Sequence, residues 1–471
     1  MKRTALSAMI GLALGVTASS AFALAPSAYN STAGDTLDLF ISGASAQDAG
    51  LIKAYAKSFC TAGSMDVYTF TNQSVTLCTS AVALTGGKTK LAIFKTSVGG
   101  SGNGIGPVAD GTALTFISMA ALKANPALVT STATVASTTG LPAYTTHAVA
   151  TTATQTAVPK AGLSDVEPAL LGGTPAQVAK LTVQSPNALL MAVPVTLKIR
   201  NALQAKEGLT VGSETEANMP NLTKTQLSGI YTGQITNWSQ LGLTVTDDNI
   251  YVARRVGTSG TQKAYDIYFT GAACTGGVAS FVAINDGGTC GAGTVNEGSG
   301  SGNVTACLTT LDGASKGGVG VLSSEFVPVD PVAGTQVAGN NAYRFVKING
   351  AAPTLLNAVE GKYDLYVETS YQFRSNITGN DLTILSGIPA KLGDPTVIDD
   401  IDNGLVQFWG RSGLLALPSN GYTPVAASGA TISSADITAN PVHTHTKSPN
   451  GSPNNCQVAL PIANTDLFKQ P

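Results

Sequence analysis

From Leu37 to Ser42 the apolar residues Leu37, Leu39 and Ile41 alternate with polar or smaller neighbours, the period of a strand with one buried face. Gly43-Ala44-Ser45-Ala46 follows, after which Leu51, Ile52, Tyr55 and Phe59 recur at helical spacing. The same order returns twice. Leu91–Lys95 runs into Gly99-Gly100-Ser101-Gly102-Asn103-Gly104, and Ile250–Arg254 runs into Gly257-Thr258-Ser259-Gly260-Thr261 ahead of a helix at Gln262–Phe269. Strand, small-residue turn and helix in repetition predict an α/β protein with parallel sheets flanked by helices. Between these units Thr223 and Gln226 form a capping box for a helix ending near Tyr231, with Gly233 in the turn beyond it. Thr130–Pro159, dominated by Thr, Ala and Val, and Gly271–Thr305, rich in Gly, Ser and Cys, read as insertions or long loops. The pattern weakens from Ile377 onward, and Pro441–Asn455 reads as irregular.

Composition narrows the function. The chain has 471 residues, 43% of them apolar and only 11% charged, with a formal net charge of −2. That is enough apolar chain for more than one core, and it lacks the basic footprint of a nucleic-acid binder. Met1-Lys2-Arg3, the uncharged run Ala5–Ala21 and Ala21-Phe22-Ala23 predict a signal peptide over residues 1–23 with cleavage before Leu24. No later run is apolar for the roughly 20 residues of a membrane span, so the mature chain is expected to be soluble. In an oxidising compartment Cys60, Cys78, Cys274, Cys290, Cys307 and Cys456 read as disulfides, since none shows metal-site spacing; Cys60 with Cys78 is the first pair expected and the rest stay open. His443 and His445 read as surface-loop residues rather than metal ligands, His147 receives no role, and Trp238 reads as a packing residue. No cofactor motif, metal cluster or nucleophile with a nearby base is visible, which argues against an enzyme.

The chemistry lies in the turns. An oxyanion taken out of water must recover its hydrogen bonds, and hydroxyl-bearing turns at helix N-termini offer backbone N–H groups and a favourable dipole. Three turns of this kind recur here. Leu222-Thr223-Lys224-Thr225-Gln226-Leu227-Ser228-Gly229-Ile230-Tyr231, continuing to Trp238, resembles a stretch of the periplasmic phosphate-binding proteins, the substrate-binding subunits of phosphate ABC importers. Arg254-Arg255-Val256-Gly257-Thr258-Ser259-Gly260-Thr261 is similar to that family's R-x-D-G-S-G-T loop. Gly317-Gly318-Val319-Gly320-Val321-Leu322 resembles its Gly-rich strand entry, and Gly162-Leu163-Ser164-Asp165 its G-A-S-D.

The resemblance, spanning roughly Leu37 to Phe373, implies a two-lobed clamp of the periplasmic-binding-protein type, each lobe a sheet flanked by helices, with two interlobe crossings. Lobe I is expected at residues 24–193 plus 360–471, with an insertion at about 107–159 and a C-terminal extension, and lobe II at 194–359. The resemblance also implies a phosphate site of Ser45, Ala46, Ser101, Asp165, Arg255, Ser259, Gly260 and Thr261. Arg255 is its charged donor, and Asp165 accepts from a protonated oxyanion. An ionised carboxylate only accepts, so it pairs with P–OH and repels fully ionised sulfate. Gly257 departs from the family's Asp, leaving Arg255 without the expected carboxylate partner, and Ala46 stands where an aromatic is usual. The implied protein is a periplasmic monomer that passes phosphate or a related oxyanion to an ABC-transporter permease. A clamp of the same fold used in adhesion, signalling or assembly is the alternative.

Overall fold

A computed structural model describes residues 24–31, 34–138, 140–275, 280–329, 342–402, 413–424, 434–448 and 452–461. The expected signal segment, residues 1–23, lies outside them. Two sheets organise the rest. A nine-stranded sheet runs in the order Leu181–Gln184, Ser370–Arg374, Ala161–Ser164, Thr36–Gly43, Lys90–Thr96, Gln73–Thr79, Asp66–Phe70, Tyr144–Val149 and Val129–Val135. A five-stranded sheet runs Val295–Gly298, Asp247–Arg255, Lys316–Gly320, Pro194–Thr196 and Tyr343–Phe345.

In each sheet the central pairings are parallel: Thr36–Gly43 with Lys90–Thr96 and Ala161–Ser164, and Asp247–Arg255 with Val295–Gly298 and Lys316–Gly320. Parallel strands end on one side, so the turns after them gather there. Asn187–Ala192, which pairs with Tyr366–Glu368, Leu322–Ser323 and Leu414–Ala416, joins the two sheets. The chain passes from Ala192 into Pro194–Thr196 and returns through Tyr366–Glu368 into Ser370–Arg374, which makes the fold a two-lobed clamp.

The helix Lys224–Tyr231 carries the expected cap: Thr223 Oγ1 accepts from Gln226 N (3.1 Å), and Gln226 Oε1 accepts from Thr223 N (2.8 Å). Trp238 is fully buried, and its Nε1 donates to Gly317 O at 3.2 Å. A Cβ on Gly317 would come within 2.2 Å of that nitrogen, so the indole requires the glycine that opens the strand.

Three sequence readings are corrected. Thr130–Pro159 is not a long loop: Val129–Val135 and Tyr144–Val149 extend the nine-stranded sheet, and Thr154–Ala157 pairs with Leu114–Ile117. Its threonines and valines favour a pleated backbone even though the outermost strand is exposed. Gly271–Thr305 holds the strand Val295–Gly298 and the start of the helix Ser301–Gly313. His443 is not on a surface loop but 1% exposed, its ring centre 4.3 Å from that of Tyr366 and tilted 38° to it. Burial drives its pKa well below the ordinary 6.5, keeping the imidazole neutral. The expected Cys60–Cys78 disulfide is present, together with Cys274–Cys456 and Cys290–Cys307.

A candidate oxyanion site between the lobes

Three turns of the first lobe meet two of the second. From the first come Ala44–Gln47 after Gly43, Ser97–Gly104 after Thr96, and Asp165 after Ser164; from the second come the loop following Arg255 and the turn Ser299–Gly300. They touch directly. Gly102 N donates to Thr258 O at 2.9 Å, Gly260 N to Ser101 Oγ at 3.1 Å, and Thr261 Oγ1 to Asp165 Oδ2 at 2.9 Å. A Cβ on Gly260 would lie 2.4 Å from Ser101 Oγ and 2.9 Å from Asp165 N, so only glycine permits this approach.

The residues singled out in the sequence fall on these turns. Ser101 Oγ accepts from both Asp165 N (3.2 Å) and Gly260 N, which leaves its own O–H to donate. Ser259 caps the helix Gly260–Tyr265 by accepting from Gln262 N at 3.3 Å. Ala46 is buried in the first turn and brings no polar side chain. Ser45 Oγ, in the same turn, is buried without a hydrogen-bond partner.

Arg255 is 1% exposed, which for a guanidinium demands compensation. Its Nη1 donates to Ser301 Oγ at 2.7 Å and its Nη2 to Ser299 O at 3.1 Å, while Nε is unpartnered. Burial pulls its pKa down to about 10, opposed by the nearby Asp165 charge, so it stays protonated at neutral pH. Asp165, 2% exposed, keeps Oδ1 unpartnered. Burial raises its pKa to about 6 against the pull of the Thr261 hydrogen bond and the Arg255 charge. Arg255 Nε and Ser45 Oγ are thus unpartnered donors and Asp165 Oδ1 an unpartnered acceptor, and Gln47 Nε2 of the first turn is a further unpartnered donor.

Sequence reasoning missed the groups that hold this arrangement. Where the resemblance led one to expect a carboxylate, Gly257 is exposed with open space around it, and the turn Ser299–Ser301 holds Arg255 instead. Gln262 adds a further restraint, its Oε1 accepting from Arg255 N at 3.0 Å. The Gly-Ser alternation at Gly298–Ser301 was a visible signal, but nothing local connected it to a residue more than forty positions earlier.

Lys95 is the other omission. Its buried Nζ donates to Ala44 O (3.0 Å), Gly43 O (3.2 Å) and Ser97 Oγ (2.6 Å) and pairs with Asp48 Oδ1 at 3.0 Å, and Ser97 Oγ in turn donates to Asp48 Oδ2. One cation therefore fixes the carbonyls of the first turn and the start of the second. Lys95→Met, which leaves Asp48 and two carbonyls without their cation, is expected to cost about 3–5 kcal/mol. Urea unfolding reads this directly, and an unchanged midpoint would refute it.

Residues 187–380, less than half of the chain, match the family model described as a PBP superfamily domain. No curated protein matches the sequence. The chain is similar to a phosphate ABC transporter substrate-binding protein with bound phosphate from Clostridium perfringens, at 15% identity over 81% of this chain and 99% of that one, with a TM-score of 0.42. It is similar to an ABC-type phosphate transport receptor from Vibrio cholerae at 16% identity over 77% and 98% of the two chains (TM-score 0.38). A phosphate-binding protein from Stenotrophomonas maltophilia gives 15% identity over 86% and 91% (TM-score 0.40).

Proposed function

We propose that this chain is an exported solute-binding protein that holds phosphate, or a closely related oxyanion, between its lobes and delivers it to an ABC importer. Binding is its activity, and no chemical step is assigned to it. One observation carries the reading: on the turns that meet between the lobes, the unpartnered donors Arg255 Nε and Ser45 Oγ are accompanied by the unpartnered acceptor Asp165 Oδ1. An oxyanion bearing a proton satisfies both kinds of group, whereas sulfate at neutral pH offers the carboxylate nothing to accept. The cationic Arg255, the Ser101 hydroxyl and the backbone of the Ser259–Thr261 turn supply further donors around the same space. Three disulfides agree with an oxidising compartment. Among the described residues no helix is long and apolar enough to cross a membrane.

Thermal denaturation with phosphate, arsenate, sulfate or no anion tests the proposal. Phosphate at 100 times its dissociation constant is expected to stabilise the fold by about 2.7 kcal/mol. Arsenate should follow phosphate and sulfate should not. The absence of any shift with millimolar phosphate would sink the reading.

A further inference from the structure

The C-terminal segment is fastened to the rest of the clamp step by step. His443 N donates to Ala416 O at 2.9 Å, and the Thr444 hydroxyl donates to the Val359 carbonyl. Thr446 Oγ1 (2.8 Å) and Lys447 N (2.6 Å) both donate to Glu368 Oε1, and Lys447 Nζ donates to Tyr366 O at 2.7 Å. Asn455, 1% exposed, then makes four hydrogen bonds. Its Oδ1 accepts from Glu368 N (2.8 Å), its Nδ2 donates to Glu368 O (2.9 Å) and Glu167 Oε2 (2.8 Å), and its N donates to Glu167 Oε1 (3.0 Å). Glu167 stands two residues beyond Asp165. Asn455 is therefore locked to the same lobe and the same turn that carry the candidate acceptor.

The next residue, Cys456, is bonded to Cys274, which belongs to the other lobe. Cys274 follows the helix Gly260–Tyr265 and its wider final turn Asp266–Thr270. At roughly 1.5 Å per residue this rod is about 15 Å long. Its first residues touch Ser101 and Asp165 across the cleft by hydrogen bonds, and its far end is tied covalently to Asn455 and hence to Glu167. Both ends of one helix are held by the same lobe, the cleft end by single hydrogen bonds and the far end through a disulfide to a segment that Thr446, Lys447 and Asn455 anchor with several hydrogen bonds.

We infer that the Cys274–Cys456 disulfide is a covalent pivot that limits the opening of the clamp, so that the lobes part by swinging about the far end of the oxyanion-binding helix. The bond removes open arrangements in which that end leaves the first lobe. Removing it enlarges the open ensemble and lowers the closed, binding-competent fraction. Cys456 is exposed, whereas each of the other two disulfides includes a cysteine no more than 8% exposed, so a mild reductant reaches the pivot first.

The scattering arm of the test needs no ligand and so stands apart from the phosphate reading, on which only the affinity arm rests. The folded, ligand-free protein is compared by small-angle X-ray scattering before and after mild reduction and alkylation, with the labelled thiols mapped to Cys274 and Cys456 by mass spectrometry. The double variant Cys274→Ser with Cys456→Ser is measured alongside. A larger radius of gyration and maximum dimension are expected in both cut forms, with unchanged dimensions in the control variant Cys60→Ser with Cys78→Ser, whose bond lies within one lobe. In the cut forms the apparent affinity for inorganic phosphate should fall at least about threefold, in proportion to the closed fraction. Superimposable scattering from intact and cut protein overturns the inference, as does expansion of the control to the same extent. A cut form that expands while binding phosphate with undiminished affinity overturns it too.

Discussion

Arg255→Met is expected to abolish the phosphate-dependent thermal shift. The guanidinium is 1% exposed and its Nε has no protein partner, so its strongest available acceptor is a bound anion. Truncating one partner of a buried, hydrogen-bonded charge pair commonly costs 3–5 kcal/mol, which is roughly two to four orders of magnitude in the dissociation constant. Methionine fills much of the volume, so the ligand-free fold loses little packing, and removing an expensively buried charge offsets the loss of the bonds to Ser301 and Ser299. Arg255→Lys separates charge from geometry. It keeps the cation but not the planar fork that spans Ser301 Oγ and Ser299 O while leaving Nε free, so an intermediate loss of about tenfold is expected. Isothermal titration with phosphate distinguishes the three proteins, and a Met variant that binds like the parent removes Arg255 from the site.

The clamp was legible where local patterns carry it. Thr36–Gly43 alternates in hydrophobicity, Lys90–Thr96 and Asp247–Arg255 carry short apolar runs, and small-residue turns follow all three, signals that are local in origin. The capping box at Thr223 and Gln226 is likewise a four-residue affair. What escaped was long-range or weakly patterned. Val129–Val135 lies at the sheet edge with few large apolar residues to mark a face, so its alternation is faint. The helices Gly379–Leu392 and Pro395–Asp402 bury Ile384, Leu385, Ile388, Leu392, Val397, Ile398 and Ile401, yet Gly387 and Pro389 interrupt the first as propensities would read it. The partners of Arg255 at Ser299 and Ser301 and the Cys274–Cys456 bond over 182 positions depend on tertiary approach, which no spacing encodes. Lys95 ends the strand Leu91–Lys95 read from the sequence, and only the fold brings the Gly43 and Ala44 carbonyls to it.

Asp165→Asn is expected to move stability and selectivity in opposite directions. Burial raises the Asp165 pKa from the ordinary 3.8 to about 6, so between those values the folded chain keeps a proton that the unfolded chain has lost. The carboxyl therefore favours folding most below pH 3.8, and that contribution is lost as pH rises through about 6. Above that pH the ligand-free protein carries a buried carboxylate whose ionisation opposes folding, and asparagine removes the burden. The variant should be more stable than the parent at pH 8 by a gain of the order of 1–3 kcal/mol, shrinking as pH is lowered. Selectivity responds otherwise. With its carbonyl facing the cleft, asparagine still accepts from P–OH, and with its amide facing the cleft it donates, so neither orientation repels sulfate. Phosphate should bind more weakly and sulfate more strongly, with most of the discrimination lost. Because an ionised Asp165 performs the exclusion, the parent itself should discriminate less as pH falls below about 6, and the variant should show no such dependence. A variant with the parent's selectivity and the parent's pH slope would show that Asp165 braces Thr261 and takes no part in choosing the anion.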